Sequence, residues 1–292
     1  MTETISSAAN PVIKRYRQLA ERKHRRRQGA FTVEGRQPVW RAVESGWPVE
    51  LLIAAPELLA GSAAAAMVAE QEARGVRVAY VSGELFGRLG DRDGPSGLAA
   101  IVRVPGTSLA GLRATPGAVF TALHRIGNPG NLGTIIRTVD ATGGAGVITI
   151  GGSTDPFAPA AVKASMGSVF AVPVAHAPGA DEFFGWAATA GVQVLATSGG
   201  AGTEHWRASY RPPLAVLFGA EGAGLPDSLL RRAAGRIRIP MTGTAESLNL
   251  AAAAAVILYE IRRPSRAPDD PAGALGGPAG APGGPAAPGG GR

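Results

Sequence analysis

Beyond residue 118 the chain alternates short apolar runs with stretches of helical period. AVFTAL (118–123), GVITI (146–150), FAVPV (170–174), VQVLATS (192–198) and LAVLFG (214–219) read as strands apolar on both faces. Helices are predicted between and after them over 131–142, 159–165, 181–190 and 226–234. Such alternation predicts an α/β fold, a mostly parallel sheet covered on both faces, which binds ligands outside the carboxyl ends of its strands. In the last unit a strand through Ile237 and Ile239 ends at Pro240, and a polar turn follows. Ser247 then opens a helix that is apolar at nearly every position from Leu248 to Leu258. That pattern predicts a helix buried on most sides, with Asn249 a hydrogen-bonded amide near its start.

The front of the chain has its own pattern. Strands are predicted at Phe31–Val33, Val49–Ala54, 76–81 and 99–105, with helices at Pro38–Ser45, 62–74 and 84–89. Residues 1–105 therefore read as a small α/β domain, 106–117 as a linker and 118–263 as a second domain. From 264 to 292 Pro, Gly and Ala dominate without any period, which predicts a disordered tail.

Charge sharpens this picture. The formal net charge is +7, and between residues 14 and 27 eight Lys or Arg stand against one acid, Glu21. On a helix, Tyr16, Leu19 and Ala20 would form a thin apolar stripe among Lys14, Arg15, Arg17, Arg22, Lys23, Arg25, Arg26 and Arg27. Phosphate contacts relieve the mutual repulsion of such a cluster, so it predicts nucleic-acid contact. There are no cysteines, which excludes disulfides and thiolate chemistry and fits a cytoplasmic protein. His24, His124, His176 and His205 are scattered without metal-ligand spacing, so no metal site is expected. An uninterrupted apolar run of membrane-spanning length is lacking, as is a secretory signal pattern, so no membrane association is expected.

Three loops that follow strands carry candidate chemistry. HRIGNPGNLGTIIRT (124–138) turns through Asn128-Pro129-Gly130 into a helix, a generic anion-binding arrangement, and places Arg137 further along it. LFGAEGAGLP (217–226) combines glycines that let backbone approach a ligand with one carboxylate, Glu221. IPMTGTAESLNLA (239–251) is the third. Neither G-x-G-x-x-G nor a P-loop occurs, and GGAG (143–146) falls at a helix end, so a nucleotide-dependent dehydrogenase is disfavoured.

In order and spacing, N-P-G-N-L-G-x-x-x-R, L-F-G-x-E-x-x-G-L and I-P-M-x(5)-S-L-N resemble the three motifs of the SpoU/TrmH family of RNA ribose 2′-O-methyltransferases. The resemblance covers about 118–263, and the front domain resembles the family's L30e-like substrate-binding domain. It implies a trefoil-knotted methyltransferase domain, homodimers, and S-adenosylmethionine as cofactor. The implied cofactor contacts are Leu217, Phe218, Gly219, Ala220, Gly224, Ile239, Pro240, Met241, Ser247, Leu248 and Asn249. The implied catalytic set is Asn131, Arg137, Glu221, Ser247 and Asn249. KASMGSVFAVPV (163–174) is similar to the family's segment between motifs one and two, which adds Lys163 and Ser165 to the expected RNA contacts. Gly127 departs from the pattern, since the family often has Asp or another polar residue just before N-P-G-N. The front domain favours ribosomal RNA over transfer RNA. A tRNA methyltransferase, an antibiotic-resistance role and a non-catalytic RNA-binding protein remain open at this point.

Overall fold

A computed structural model describes residues 4–89 and 94–263. The expected tail, 264–292, lies outside the described residues. The front part runs α1 (Pro11–Gln18), α2 (Arg22–Gln28), β1 (Ala30–Glu34), α3 (Arg36–Glu44), β2 (Val49–Ala54), α4 (Pro56–Leu59), α5 (Ala63–Ala73), β3 (Val78–Tyr80), α6 (Gly83–Gly87) and β4 (Leu98–Arg103). Its four strands pair in the order β1-β4-β2-β3, with only β2 and β3 parallel.

The second part begins with β5 (Val119–His124), α7 (Pro129–Ala141), β6 (Gly146–Ile150), α8 (Pro159–Ser165), β7 (Val174–Ala177) and α9 (Ala180–Thr189). It continues with β8 (Gln193–Thr197), β9 (Thr203–Glu204), β10 (Leu214–Phe218), α10 (Asp227–Arg232), β11 (Gly235–Arg238) and α11 (Leu250–Arg262). These seven strands form a parallel sheet ordered β7-β6-β5-β10-β8-β11-β9. Among the described residues no helix is long and apolar enough to cross a membrane.

One apolar core joins the two sheets. Phe31, Val33 and Leu52 from the front share it with Leu123, Ile135, Phe170 and Ile257 from the second part. Aromatic rings fill the junction: Phe31 lies 4.8 Å from Phe157, Trp47 lies 5.1 Å edge-on to Phe170, and the Trp47 indole donates to Phe170 O at 3.1 Å. Residues 106–117 are mostly exposed, with a short helical turn at Leu109–Gly111 and Leu112 anchored in the core on the sheet's other face.

Three expectations are corrected. The apolar run 170–174 is not a strand. Phe170 closes a turn over Ser168–Phe170 that fills the junction, and β7 begins only after Pro173. The basic segment is two helices, because the chain breaks at Leu19–Glu21. Arg25 turns inward there and donates to the freed carbonyls of Leu19 and Ala20 at 2.9 and 2.7 Å. The last helix starts at Leu250, not Ser247, and is buried on one side only. Ala251, Ala254, Ile257 and Leu258 face inward, while Ala252, Val256 and Tyr259 are exposed.

Candidate active site

The strand order decides where the site forms. β5 is followed by β6 and β7 on one side, while β10, β8 and β11 lie on its other side, so the crevice beside β5 opens at a switch point. Next to it, the loops leaving β8, β10 and β11 meet around a cavity of about 820 Å³, within the usual range for a small-molecule site. Phe218, Gly219, Ala220 and Gly224 line it from one loop, and Ile239, Pro240, Met241, Ser247, Leu248 and Asn249 from the other. Leu217 is the exception among the expected contacts: it is fully buried in the strand and does not line the cavity.

Only glycine fits at 219. A Cβ there would stand 2.1 Å from the Gly224 carbonyl carbon, because the turn folds back on itself through the Gly224 N–H to Ala220 O bond. That close return presents backbone polar groups to the cavity in place of side chains. Ile257 and Ala253 of α11 supply an apolar wall.

A chain of side-chain hydrogen bonds closes one end of the cavity. Asn131 Nδ2 donates to Glu221 Oε1 at 3.0 Å, and Asn249 Nδ2 donates to Asn131 Oδ1 at 3.1 Å. Glu221 also accepts the Gly127 N–H at 3.3 Å. Two helix N-termini hold this chain in place. Asn128 caps α7 by accepting from Gly130 N and Asn131 N, and Asn249 caps α11 by accepting from Ala251 N at 2.9 Å. Asn249 is thus an exposed cap, not a buried amide inside the helix. Partial burial pushes the Glu221 pKa up, but the Asn131 amide and backbone N–H groups outweigh it and hold the carboxyl below its ordinary value. Gly127 thus contributes through its backbone, so the departure from a polar side chain leaves the contact intact.

Four of the five expected catalytic residues therefore gather at one place: Asn131, Glu221, Ser247 and Asn249. Arg137 stands apart. Six residues beyond Asn131 on α7, it lies about 240° round the helix and roughly 9 Å further along. It is exposed, outside the cavity lining, and unpaired among the described residues. Its helix packs against α11, whose exposed stripe of Ala252, Val256 and Tyr259 adjoins Leu248 at the cavity rim.

The expected RNA contacts divide in two. Arg25 is buried and pairs with Asp155 at 2.7 Å, and Ser165 is fully buried with its hydroxyl donating to Val162 O, so both are corrected to structural roles. Arg15 pairs with Glu50, Lys23 with Glu21, Arg27 with His24, and Arg17 reaches the Arg88 carbonyl. Lys14, Arg22, Arg26 and Lys163 are exposed. The cavity also takes in Thr197, Ser198 and Gly199, which the motifs did not single out. Their signal is present all the same, since a small polar run leaves a central strand at its carboxyl end.

Residues 118–259 match the SpoU rRNA Methylase family, and residues 10–100 match the MRM3-like substrate binding domain. The chain is 32% identical over 253 residues to the 23S rRNA (uridine(2479)-2′-O)-methyltransferase of Streptomyces viridochromogenes, covering 84% of this chain and 86% of that protein. It is 28% identical over 258 residues to the 23S rRNA (guanosine(2553)-2′-O)-methyltransferase RlmP of Bacillus subtilis, covering 88% of this chain and 98% of that protein. Among solved structures, the AdoMet-bound rRNA methyltransferase from Sinorhizobium meliloti superimposes with a TM-score of 0.82 at 38% identity. That match covers 91% of this chain and 99% of the other.

Proposed function

As a member of the SpoU rRNA methylase family this chain is an S-adenosylmethionine-dependent RNA 2′-O-methyltransferase, and we propose that 23S ribosomal RNA is its substrate. The observation that carries this reading is the Glu221–Asn131–Asn249 chain at the rim of a backbone-lined cavity, joined by a shared core to a front sheet with basic helices. Two named 23S rRNA methyltransferases align with the front part as well as the second, which favours ribosomal over transfer RNA.

The cavity suits the cofactor. The backbone of 219–224 and 239–241 offers hydrogen bonds to its polar groups, and Ile239, Ala253 and Ile257 offer apolar contact to a ring. When bound, S-adenosylmethionine supplies a methyl group on a sulfonium, a good leaving group. What remains for the protein is alignment of the ribose and loss of the 2′-hydroxyl proton. Glu221, held below its ordinary acidity range, is a poor proton acceptor, so its role is to fix Asn131 and the turn at Gly127. Arginine side chains keep their protons in proteins. Arg137 therefore stabilises the developing 2′-oxyanion as a cation, while the proton leaves to solvent.

Because Arg137 lies outside its own cavity, the site is completed by a second copy. The stripe Leu248, Ala252, Val256 and Tyr259 is an apolar face beside α7, with Tyr259 57% exposed, and an isologous homodimer would cover it. Val256→Asp with Tyr259→Asp is expected to give monomers by light scattering and to lose methyl transfer. Active monomers would contradict this. On this reading the protein acts in the cytoplasm, on ribosomal RNA. Incubation with labelled S-adenosylmethionine and unmodified 23S or tRNA transcripts tests the substrate. Label in 23S RNA is expected; label in tRNA alone would overturn the ribosomal assignment.

A further inference from the structure

Two non-glycine residues take a positive φ among the described residues, Met166 where α8 ends and, with no helix end to account for it, Arg125. It sits at the carboxyl end of β5 with φ +56°, a left-handed backbone that a long side chain adopts only at a cost. Glycine would take that conformation freely. Its N–H is tied to Ile150 O at 3.0 Å, and its side chain lies over Gly151, where a Cβ would come within 3.7 Å of Arg125 Cγ. The guanidinium is exposed and, among the described residues, carries no ion pair or side-chain hydrogen bond. Strained backbone under an unpartnered cation, two residues before the Gly127 contact to Glu221, points to a ligand rather than to the fold.

The neighbouring strand ends indicate which ligand. His124, Ile150 and Ala177 are in register across β5, β6 and β7, so the carboxyl ends of these strands form one ledge. Adjacent strands are about 4.8 Å apart, which makes the ledge roughly 10 Å wide. Its floor is Gly151–Gly152, where an added Cβ at Gly152 would meet open space. Its far side carries exposed His176, its ring steadied 3.1 Å from Thr149 Oγ1. Beyond stands α2, clamped to the loop after β6 by the buried Arg25–Asp155 pair. Arg22 and Arg26, one helical turn apart on α2 and flanking Arg25, are exposed and likewise unpaired among the described residues. Both are close enough to His176 to disfavour its protonation, alongside the larger effect of its partial burial. The other arginines of the 14–27 segment have protein partners; these two do not.

We propose that Arg22, Arg26 and Arg125 form a phosphate track across the glycine floor, along which the RNA backbone runs from α2 to the methylation site. This rests on the reading of the protein as an RNA methyltransferase. Arg125 acts as a positioning residue, gripping a phosphate beside the nucleotide presented to the cavity. A carboxylate facing the ledge would oppose such a polyanion; Asp155, in the loop after β6, is neutralised by Arg25, and Glu221 is engaged by Gly127 N–H and the Asn131 amide.

The test is the salt dependence of binding to a 23S rRNA transcript, measured on the full chain. Each phosphate contact contributes about 0.7 to 0.9 to the slope of log K against log salt. Arg22→Ala/Arg26→Ala/Arg125→Gly is expected to lower that slope by about two, and Arg125→Gly alone by about one. The glycine variant keeps the fold because φ +56° suits it, so S-adenosylmethionine binding by calorimetry stays as in the wild type and the melting temperature does not fall. Arg211→Ala removes the same charge from the opposite, amino ends of the strands, where Arg211 N bonds Gln193, and is expected to leave the slope unchanged. Equal slopes in the triple variant and wild type, or an equal drop in Arg211→Ala, would overturn the track while methyl transfer by the wild type upheld the enzyme. A wild type that neither binds nor methylates RNA would overturn both.

Discussion

Glu221 owes its low proton affinity to three neighbours, and the same neighbours make it a gauge of the site. Its carboxylate is favoured by the Asn131 amide and backbone N–H groups more than partial burial disfavours it. A depressed folded-state value stabilises the fold above the ordinary carboxylate value of 4.5, and that contribution is lost as pH falls through the folded value. Urea unfolding of Glu221→Gln and wild type should therefore differ at pH 6 and converge as pH drops below 4; a gap independent of pH would contradict the assignment. Asn249→Ala removes the cap of α11 and its link to Asn131, and is expected to cost about 1 kcal/mol of stability. Its methyl transfer should fall well beyond what that loss explains. The residues of this chain were legible through the resemblance of three loops, taken in order and spacing, to the family's motifs, since each loop alone reads as an ordinary strand-to-helix turn. Arg125 was not, since a positive φ leaves no mark on a side chain that looks like any surface arginine.

At the scale of elements, pairing rather than propensity settled what the sequence left ambiguous. Five of the seven strands of the second sheet were legible from apolar runs, while the run read for β7 meets that strand only at Val174. Phe170 and Val172 are as apolar as a strand, yet they fill the junction between the sheets, a long-range demand that local pattern cannot encode. The two-residue β9 is too short to carry any period. Arg25 looked like its neighbours in a basic run, but a break in the helix turns it onto Asp155, 130 residues away. Arg25→Ala leaves Asp155 unpaired at the junction and is expected to cost about 3 to 5 kcal/mol, read from denaturant unfolding. A loss below 1 kcal/mol would return Arg25 to the surface cluster.

For the whole molecule, the shared core and the Arg25–Asp155 clamp fix the basic front against the second sheet, and on the proposed reading RNA gripped at one is presented to the other. On the proposed reading, the cavity binds the cofactor through backbone, the asparagine chain holds the loops, and a second copy seated on the exposed α11 stripe brings in its Arg137. The most direct test is mass spectrometry of nucleosides from an unmodified 23S rRNA transcript after incubation with S-adenosylmethionine and either wild type or Arg137→Ala. A single 2′-O-methylated nucleoside is expected with the wild type and none with the variant, although the variant still binds S-adenosylmethionine. A methyl group on a base, or equal ribose methylation by both proteins, would contradict this.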